Sequence, residues 1–164
     1  VRLVGSEMCI RDSVVTTASL AGLMGGMGTY GVSKHAVRSL SETLNQDLRE
    51  RGSKISSSVL CPGFVNTNIA NSERNRPSSL VQSQEPKINQ ETAAAMAEML
   101  KNGKQPSEIA EIVVNAIKDN VFYILPHPAW DDHLRAHFEL ILSRKELPAR
   151  TPPFLVPRED GEKY

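Results

Sequence analysis

A tyrosine and a lysine stand four residues apart in this sequence, at Tyr30 and Lys34, and together they could move a proton. They fall in a segment, residues 30–51, whose apolar residues recur every three or four positions, which predicts a helix. Side chains four apart on a helix lie one above the other on the same face. An ammonium beside a phenol favours the phenolate, so the pair could serve as a general acid and base. A solvated helix edge would give the same spacing.

Two predicted strands are expected to end close to Tyr30 and Lys34. Ser19 follows a short β-branched stretch, residues 14–18, that predicts a buried parallel strand. Pro62-Gly63 follows a second predicted strand, residues 54–60, because a Pro-Gly pair does not continue a ladder. Open α/β sheets bind their ligands at the carboxyl ends of the strands. The sequence therefore predicts a crevice between the two strand ends and the start of the helix.

The chain beyond this crevice continues the alternation of helix and strand. Residues 69–101 include a polar stretch without a period and are predicted to form a lid. The other predicted elements are helices at 89–101, 106–118 and 130–144, the second with Ser107 as a candidate N-cap, and a buried strand at 121–125. Crossovers of this kind imply an α/β protein with a parallel sheet covered on both faces. Three strands are about half of those in a doubly wound domain, so we expect the N-terminal half of the fold to be absent.

The two ends of the chain differ in pattern from its middle. Residues 1–13, VRLVGSEMCIRDS, have neither a helical nor a strand period. Their stretch LVGSEMCIRD resembles a translated sequencing adapter, so residues 1–13 are predicted to be a non-native leader. Residues 148–164 are rich in proline and charge, which predicts a surface arm. The folded part is then expected at residues 14–147.

Composition argues against several classes of partner. Nineteen Lys and Arg residues balance nineteen Asp and Glu residues, and no basic tract is interleaved with aromatic residues. Nucleic acid and anionic membranes are therefore not expected partners. No apolar run reaches the length of a membrane span, and Cys9 and Cys61 lie in unrelated contexts that do not suggest a disulfide framework. These features predict a soluble cytoplasmic protein.

Three runs of the sequence carry a family resemblance: VVTTASLAGLMGGMGTYGVSKHAVRSLSETL from residue 14, VLCPGFVNT from residue 59 and PSEIAEIVVNAIKDNVFYILPHP from residue 106. Together they resemble the short-chain dehydrogenases/reductases. The first two are similar to the active-site half of the family, and the third to its last helix and strand. The resemblance implies a Rossmann-like, doubly wound parallel sheet, of which residues 14–147 would hold the last three strands and their helices.

The resemblance also implies a role for each matching residue in a reaction that interconverts an alcohol and a ketone or aldehyde. Tyr30 would be the general acid/base, Lys34 would hold the nicotinamide ribose, and Ser19 would orient the substrate oxygen. The cofactor would be NAD or NADP, and no metal is expected. The residues implied to border the nicotinamide and its carboxamide are Pro62, Gly63, Val65 and Thr67.

Several features of the family do not occur in this sequence. Its glycine-rich phosphate loop, the residue that selects NAD or NADP, and its catalytic Asn would all precede residue 14. Gly25, Gly26 and Gly28 superficially suggest a phosphate cradle, but they precede the Tyr30 helix and are predicted to form a flexible active-site loop. The chain by itself is therefore expected to be an inactive fragment.

Two other functions remain open alongside the reductase. One is a non-catalytic, nucleotide-binding scaffold that retains the motif, and the other is an epimerase or dehydratase on the same fold. The resemblance further implies a homodimer or homotetramer for the whole protein.

The histidines and Cys61 are assigned structural roles. His35 is predicted to be a structural or surface residue, since no G-x-S-x-G elbow surrounds any serine. His133 and His137 have the spacing of zinc ligands, but no third ligand is evident, so a solvated helix face is predicted. His127, between two prolines, is predicted to lie in a turn rather than at a site, and Cys61 is predicted to be buried.

Overall fold

A parallel sheet of three strands lies at the centre of the computed structural model, which describes residues 12–75, 77 and 90–147. The strands are β1 (Ser13–Thr17), β2 (Ser56–Leu60) and β3 (Tyr123–Ile124), in the order β1-β2-β3. Both pairings are parallel, with Thr17 opposite Leu60 and Leu60 opposite Ile124. The predicted α/β fold with a parallel sheet is confirmed. The predicted leader and the tail at 148–164 lie outside the described residues, apart from Asp12 and Ser13.

Helices connect the strands, as parallel pairing requires. The α-helices are α1 (Gly28–Glu50), α2 (Gln90–Lys101), α3 (Pro106–Lys118) and α4 (Asp131–Ser143). Short 3₁₀ segments occur at Leu20–Gly22, Asn68–Asn75 and Pro128–Trp130. The structure describes the predicted lid only in part, because residues 76 and 78–89 lie outside the described chain.

The chain divides into two compact units. The first extends to Gly63 and resumes at Glu111, and the second runs from Phe64 to Ala110, so the division falls within α3. The first unit holds the sheet, α1 and α4. In the second unit, Val65 pairs with Lys104 in an isolated parallel bridge, and Asn66 N–H donates to the Lys104 carbonyl at 2.8 Å.

Helix α1 packs so closely against the 3₁₀ turn after β1 that one contact leaves room only for glycine. A Cβ on Gly22 would stand 2.7 Å from the carbonyl oxygen of Lys34, a backbone atom of α1. About two turns of the helix further on, the Thr16 and Ser41 hydroxyls lie 2.5 Å apart, and Ser41 is almost fully buried. Helix α1 is therefore held both against the turn that follows β1, at Lys34, and against β1 itself, at Ser41.

The third strand is shorter and more exposed than its sequence suggests. Only Tyr123–Ile124 form the strand instead of residues 121–125, and Ile124 is buried whereas Val121, Tyr123 and Leu125 are each more than a third exposed. In the described part of the chain β3 is an edge strand that pairs with β2 alone. Side chains alternate across a strand, so a buried residue between exposed neighbours indicates cover on one face.

The structure corrects a predicted cap, Ser107, and a predicted helix start, residue 130. Helix α3 begins at Pro106, which places Ser107 inside the first turn rather than at the N-cap. Proline suits this first position because its missing N–H would have no partner there, and Glu108 Oε2 accepts from the Gln105 N–H at 2.7 Å. Helix α4 begins at Asp131, since the preceding Pro128–Trp130 segment is a 3₁₀ turn.

A polar cluster connects α1 to β3 at the exposed side of the sheet. The Tyr123 hydroxyl donates to Glu42 Oε1 at 2.5 Å, and Arg38 Nη1 lies 3.1 Å from the same oxygen. Burial raises the pKa of Tyr123 to about 12, and the hydrogen bond to Glu42 and the charge of its carboxylate add to the rise. The carboxylate favours the neutral phenol because a phenolate beside it would be repelled.

We expect Glu42→Gln to lower the pKa of Tyr123 towards the ordinary value for tyrosine, about 10. Because folding raises this pKa, the contribution to the free energy of unfolding is fully present below about pH 10 and is lost as the pH rises through about 12. The measurement is the absorbance of ionised tyrosine against pH, with Tyr123→Phe to identify the transition. Glu50→Gln, at the exposed end of the same helix, is the control. Identical tyrosine titrations for the two Gln variants would contradict this prediction.

Candidate active site

Ser19 lies two residues beyond β1, where it starts the 3₁₀ turn Leu20–Gly22. Its backbone is extended, and its hydroxyl oxygen accepts from the Ala21 N–H at 3.2 Å. The same hydroxyl donates to the Pro62 carbonyl at 3.4 Å, which is a long and therefore weak hydrogen bond. The hydroxyl oxygen is thus held by the Ala21 N–H, while its O–H can donate a hydrogen bond to another oxygen.

Tyr30 and Lys34 lie in the first two turns of α1, as the sequence predicts. Tyr30 is 49% exposed, so a ligand could reach its phenol. Lys34 Nζ lies 5.7 Å from the centre of the Tyr30 ring, within the range of a cation–π contact. It also donates to the carbonyl of Thr17, the last residue of β1, at 3.1 Å. The carboxyl end of β1 therefore holds the ammonium beside the phenol.

The turn after β2 brings Pro62 and Gly63 next to Ser19. Leu20 N–H donates to the Pro62 carbonyl at 3.0 Å, and Gly63 N–H donates to His127 Nδ1 at 3.1 Å. A Cβ on Gly63 would stand 3.1 Å from Leu20 Cδ1 and 3.3 Å from His127 Cγ. Because Gly63 has no side chain, the turn can pack closely between the Leu20 and His127 side chains.

The seven predicted site residues fall into the two units. The first unit holds five of them, near the carboxyl ends of β1 and β2: Ser19, Tyr30, Lys34, Pro62 and Gly63. Val65 and Thr67 belong to the second unit, where Val65 makes its bridge to Lys104 and Thr67 is exposed.

His127 contacts the candidate site, and the sequence did not predict this contact. It does lie at a turn, since it precedes the 3₁₀ segment Pro128–Trp130, but its imidazole also contacts Gly63. One signal could have indicated this contact: His127 stands three residues after β3, at the same edge of the sheet as Ser19 and Pro62.

The other histidines and Cys61 have mainly structural contacts. His35 Nδ1 lies 2.9 Å from the Gly31 carbonyl within α1. The prediction of a solvated face for His133 and His137 is wrong, because both are half-buried. The His133 ring lies 5.4 Å from that of Trp130, and His137 Cε1 would lie 3.5 Å from a Cβ on Gly25.

The thiol of Cys61 is fully buried, as predicted, and burial raises its pKa, which keeps it protonated and unreactive. Within the described ranges no three His, Cys, Asp or Glu side chains are grouped as metal ligands would be. No helix in these same ranges is long and apolar enough to cross a bilayer.

The glycines before Tyr30 form the turn that leads into α1. Gly26 and Gly28 have φ angles of +92° and +56°, which other residues adopt at a cost. With Gly31 they have the glycine spacing of a dinucleotide fingerprint, but that fingerprint runs directly from a strand into a helix. Here β1 ends at Thr17 and a 3₁₀ turn intervenes, so the segment lacks the direct strand-to-helix turn of that fingerprint.

Comparison with known proteins gives consistent matches. The model of a family described as short chain dehydrogenase matches residues 3–78. The chain is 35% identical over 124 residues to the CLA biosynthesis dehydrogenase/reductase of Lactiplantibacillus plantarum, an alignment covering 72% of this chain and 43% of that protein. It is 34% identical over 131 residues to the C alpha-dehydrogenase of Sphingobium sp. (strain NBRC 103272 / SYK-6), covering 79% and 42%. The chain therefore spans less than half the length of these two relatives.

A solved structure shares the fold. The short-chain dehydrogenase/reductase from Burkholderia phymatum, in complex with NAD, is 39% identical and superimposes with a TM-score of 0.74. The superposition covers 85% of this chain and 51% of that one. It confirms a Rossmann-like fold, of which the described strands and helices form a part.

Proposed function

Because the chain belongs to the short-chain dehydrogenase family, we propose that it carries the proton-transfer site of a nicotinamide-dependent oxidoreductase that interconverts an alcohol and a ketone or aldehyde. One observation carries this proposal. Lys34 Nζ is held by the Thr17 carbonyl and lies beside the Tyr30 ring, whose phenol is half exposed at the carboxyl end of the sheet.

The residues present fit a nicotinamide dinucleotide. An ammonium has three donors, and the Thr17 carbonyl uses one of those on Lys34, which leaves others for ribose hydroxyls. The Pro62–Gly63 turn lies next to Ser19 at the carboxyl ends of β1 and β2, where open α/β sheets bind their ligands. The relative from Burkholderia phymatum is a complex with NAD, and we propose NAD or NADP for this protein. In that role Pro62, Gly63, Val65 and Thr67 would border the nicotinamide.

The bound dinucleotide would supply or accept the hydride, and the chain's own residues would handle the proton. Reduction of a carbonyl leaves negative charge on the substrate oxygen, and Tyr30 is placed to give that oxygen its proton. In the reverse direction Tyr30 would take the proton of the alcohol, and the cationic Lys34 would favour the phenolate needed for this step. The Ser19 hydroxyl would donate a hydrogen bond to the same oxygen and remain neutral.

Helix α1 offers a surface for the oligomer that the family resemblance implies. Val32 and Leu40 are 72% and 70% exposed and lie on one face of α1, two turns apart. We propose that the whole protein pairs through this face and works in the cytoplasm on a small-molecule substrate. Sedimentation as a monomer would count against the pairing.

Replacing Tyr30 with Phe in the whole protein is expected to lower turnover by about 10²–10⁴, because the ring remains but the proton donor is lost. Cofactor binding and thermal stability should persist, since Tyr30 is half exposed. The measurement is the steady-state rate of reduced nicotinamide formation, and Tyr123→Phe serves as the control that removes a phenol elsewhere in the same unit. Near-parental turnover by the Tyr30→Phe variant would sink the assignment of the site.

Lys34→Ala should act differently from the Tyr30 variant. It should weaken cofactor binding and raise the pH at which alcohol oxidation becomes efficient, because the phenolate loses its cationic neighbour. A pH–rate profile and a cofactor titration measure the two effects. Lys34→Arg keeps the positive charge and should stay closer to the parental profile. An unchanged profile for Lys34→Ala would show that the ammonium does not assist Tyr30.

By itself, the chain of 164 residues is expected neither to bind the dinucleotide nor to convert an alcohol substrate. The family's glycine-rich phosphate loop is not found in this sequence, and the alignments cover less than half of each curated relative. Calorimetric titration with NADH measures the binding. A soluble monomer with micromolar affinity would contradict this expectation.

A further inference from the structure

His127 holds one peptide group of the candidate site from the side of β3. Its Nδ1 accepts the Gly63 N–H at 3.1 Å, and the Cγ and Cδ2 atoms of its ring lie 3.3 and 3.4 Å from where a Cβ on Gly63 would stand. An imidazole nitrogen that accepts a hydrogen bond carries no proton, so the neutral ring has its hydrogen on Nε2. The contact therefore requires one particular tautomer of His127.

The other end of the same peptide group is held from the side of β1. The Pro62 carbonyl accepts from the Leu20 N–H at 3.0 Å and from the Ser19 hydroxyl at 3.4 Å. The carbonyl of Pro62 and the N–H of Gly63 belong to one planar unit. Its orientation is thus set by the backbone after β1 at one end and by His127 at the other.

The backbone around His127 is itself well fixed. Cys61 N–H donates to the Ile124 carbonyl at 2.9 Å, which connects the end of β3 to the residue before Pro62. The His127 carbonyl accepts from the N–H of Trp130, a residue only 4% exposed, at 3.0 Å. Pro126 and Pro128 flank the histidine and restrict its backbone conformation. The imidazole therefore approaches Gly63 from a rigid support.

We propose that His127 is a positioning residue for the reaction: its neutral imidazole fixes the plane of the Pro62–Gly63 peptide and thereby the surface that this turn offers to the nicotinamide. The inference rests on the proposed function, because it assigns the turn a cofactor to face. It adds a group from the loop after β3 to a site otherwise built from the ends of β1 and β2 and the start of α1. A small displacement of reacting groups is costly in rate, so the effect should be on turnover rather than on folding.

The chemistry of asparagine and leucine separates this role from simple packing. In asparagine the Oδ1 atom stands two bonds from Cβ, as Nδ1 does in histidine, so His127→Asn can still accept the Gly63 N–H. His127→Leu fills similar space and has no acceptor. In the whole protein we expect His127→Leu to lower kcat about tenfold with a smaller change in the substrate KM, and His127→Asn to restore kcat to within about threefold of the parent.

Two measurements without turnover test the hydrogen bond itself. Nitrogen NMR of the imidazole should show the Nε2–H tautomer in the parent, and exchange of the Gly63 amide hydrogen should be faster in His127→Leu than in the parent or in His127→Asn. Parental kcat in the Leu variant, equal losses in both variants, or unchanged Gly63 exchange would overturn the proposal. A parent that reduces no nicotinamide at all would instead refute the proposed function, and the positioning role with it.

Discussion

The parallel pairing of β1 and β2 continues past the last residue of each strand, and the arrangement of the candidate site depends on this continuation. Ala18 N–H donates to the Leu60 carbonyl at 2.8 Å, and Leu20 N–H donates to the Pro62 carbonyl at 3.0 Å. Because the backbone stays in register, Ser19 lies beside the Pro62–Gly63 turn although 43 residues separate Ser19 from Pro62 in sequence. A buried N–H or carbonyl without a partner costs free energy, so these backbone hydrogen bonds hold the loops after β1 and β2 together.

Helix α1 takes its position from the same strand end. Lys34 reaches back to the Thr17 carbonyl, and the close approach of Gly22 to the Lys34 carbonyl oxygen leaves no room for a side chain between them. The polar contact of Glu42 with Tyr123 fixes the helix further along its length. The ammonium and the phenol are consequently placed by backbone contacts, which suits a site where small displacements change the rate.

Local pattern predicted the elements but not every contact among them. The α3 bounds 106–118 follow from a proline suited to the first turn and a regular apolar period, both of which are local features. The third strand is only two residues long, because its length depends on its pairing with β2. The run VFYIL does not encode that pairing. His127 was missed for a similar reason: its partner Gly63 is 64 residues away, and a histidine between prolines has no periodic signal. The positions of Ser19 after β1 and of Tyr30 and Lys34 in the first turns of α1 were predictable because a strand end and a helix start are local features. Their catalytic roles remain a proposal.

The central claim is that this site moves a proton in step with hydride transfer between an alcohol and a nicotinamide. The most direct measurement follows an alcohol that carries deuterium on its carbinol carbon, incubated with the oxidised dinucleotide and the whole protein. The account predicts that the deuterium appears in the reduced nicotinamide while the hydroxyl proton passes to solvent. Retention of the deuterium in the organic substrate, or its loss to water with no reduced nicotinamide formed, would contradict it and favour an isomerase, a dehydratase or a binding protein on this fold.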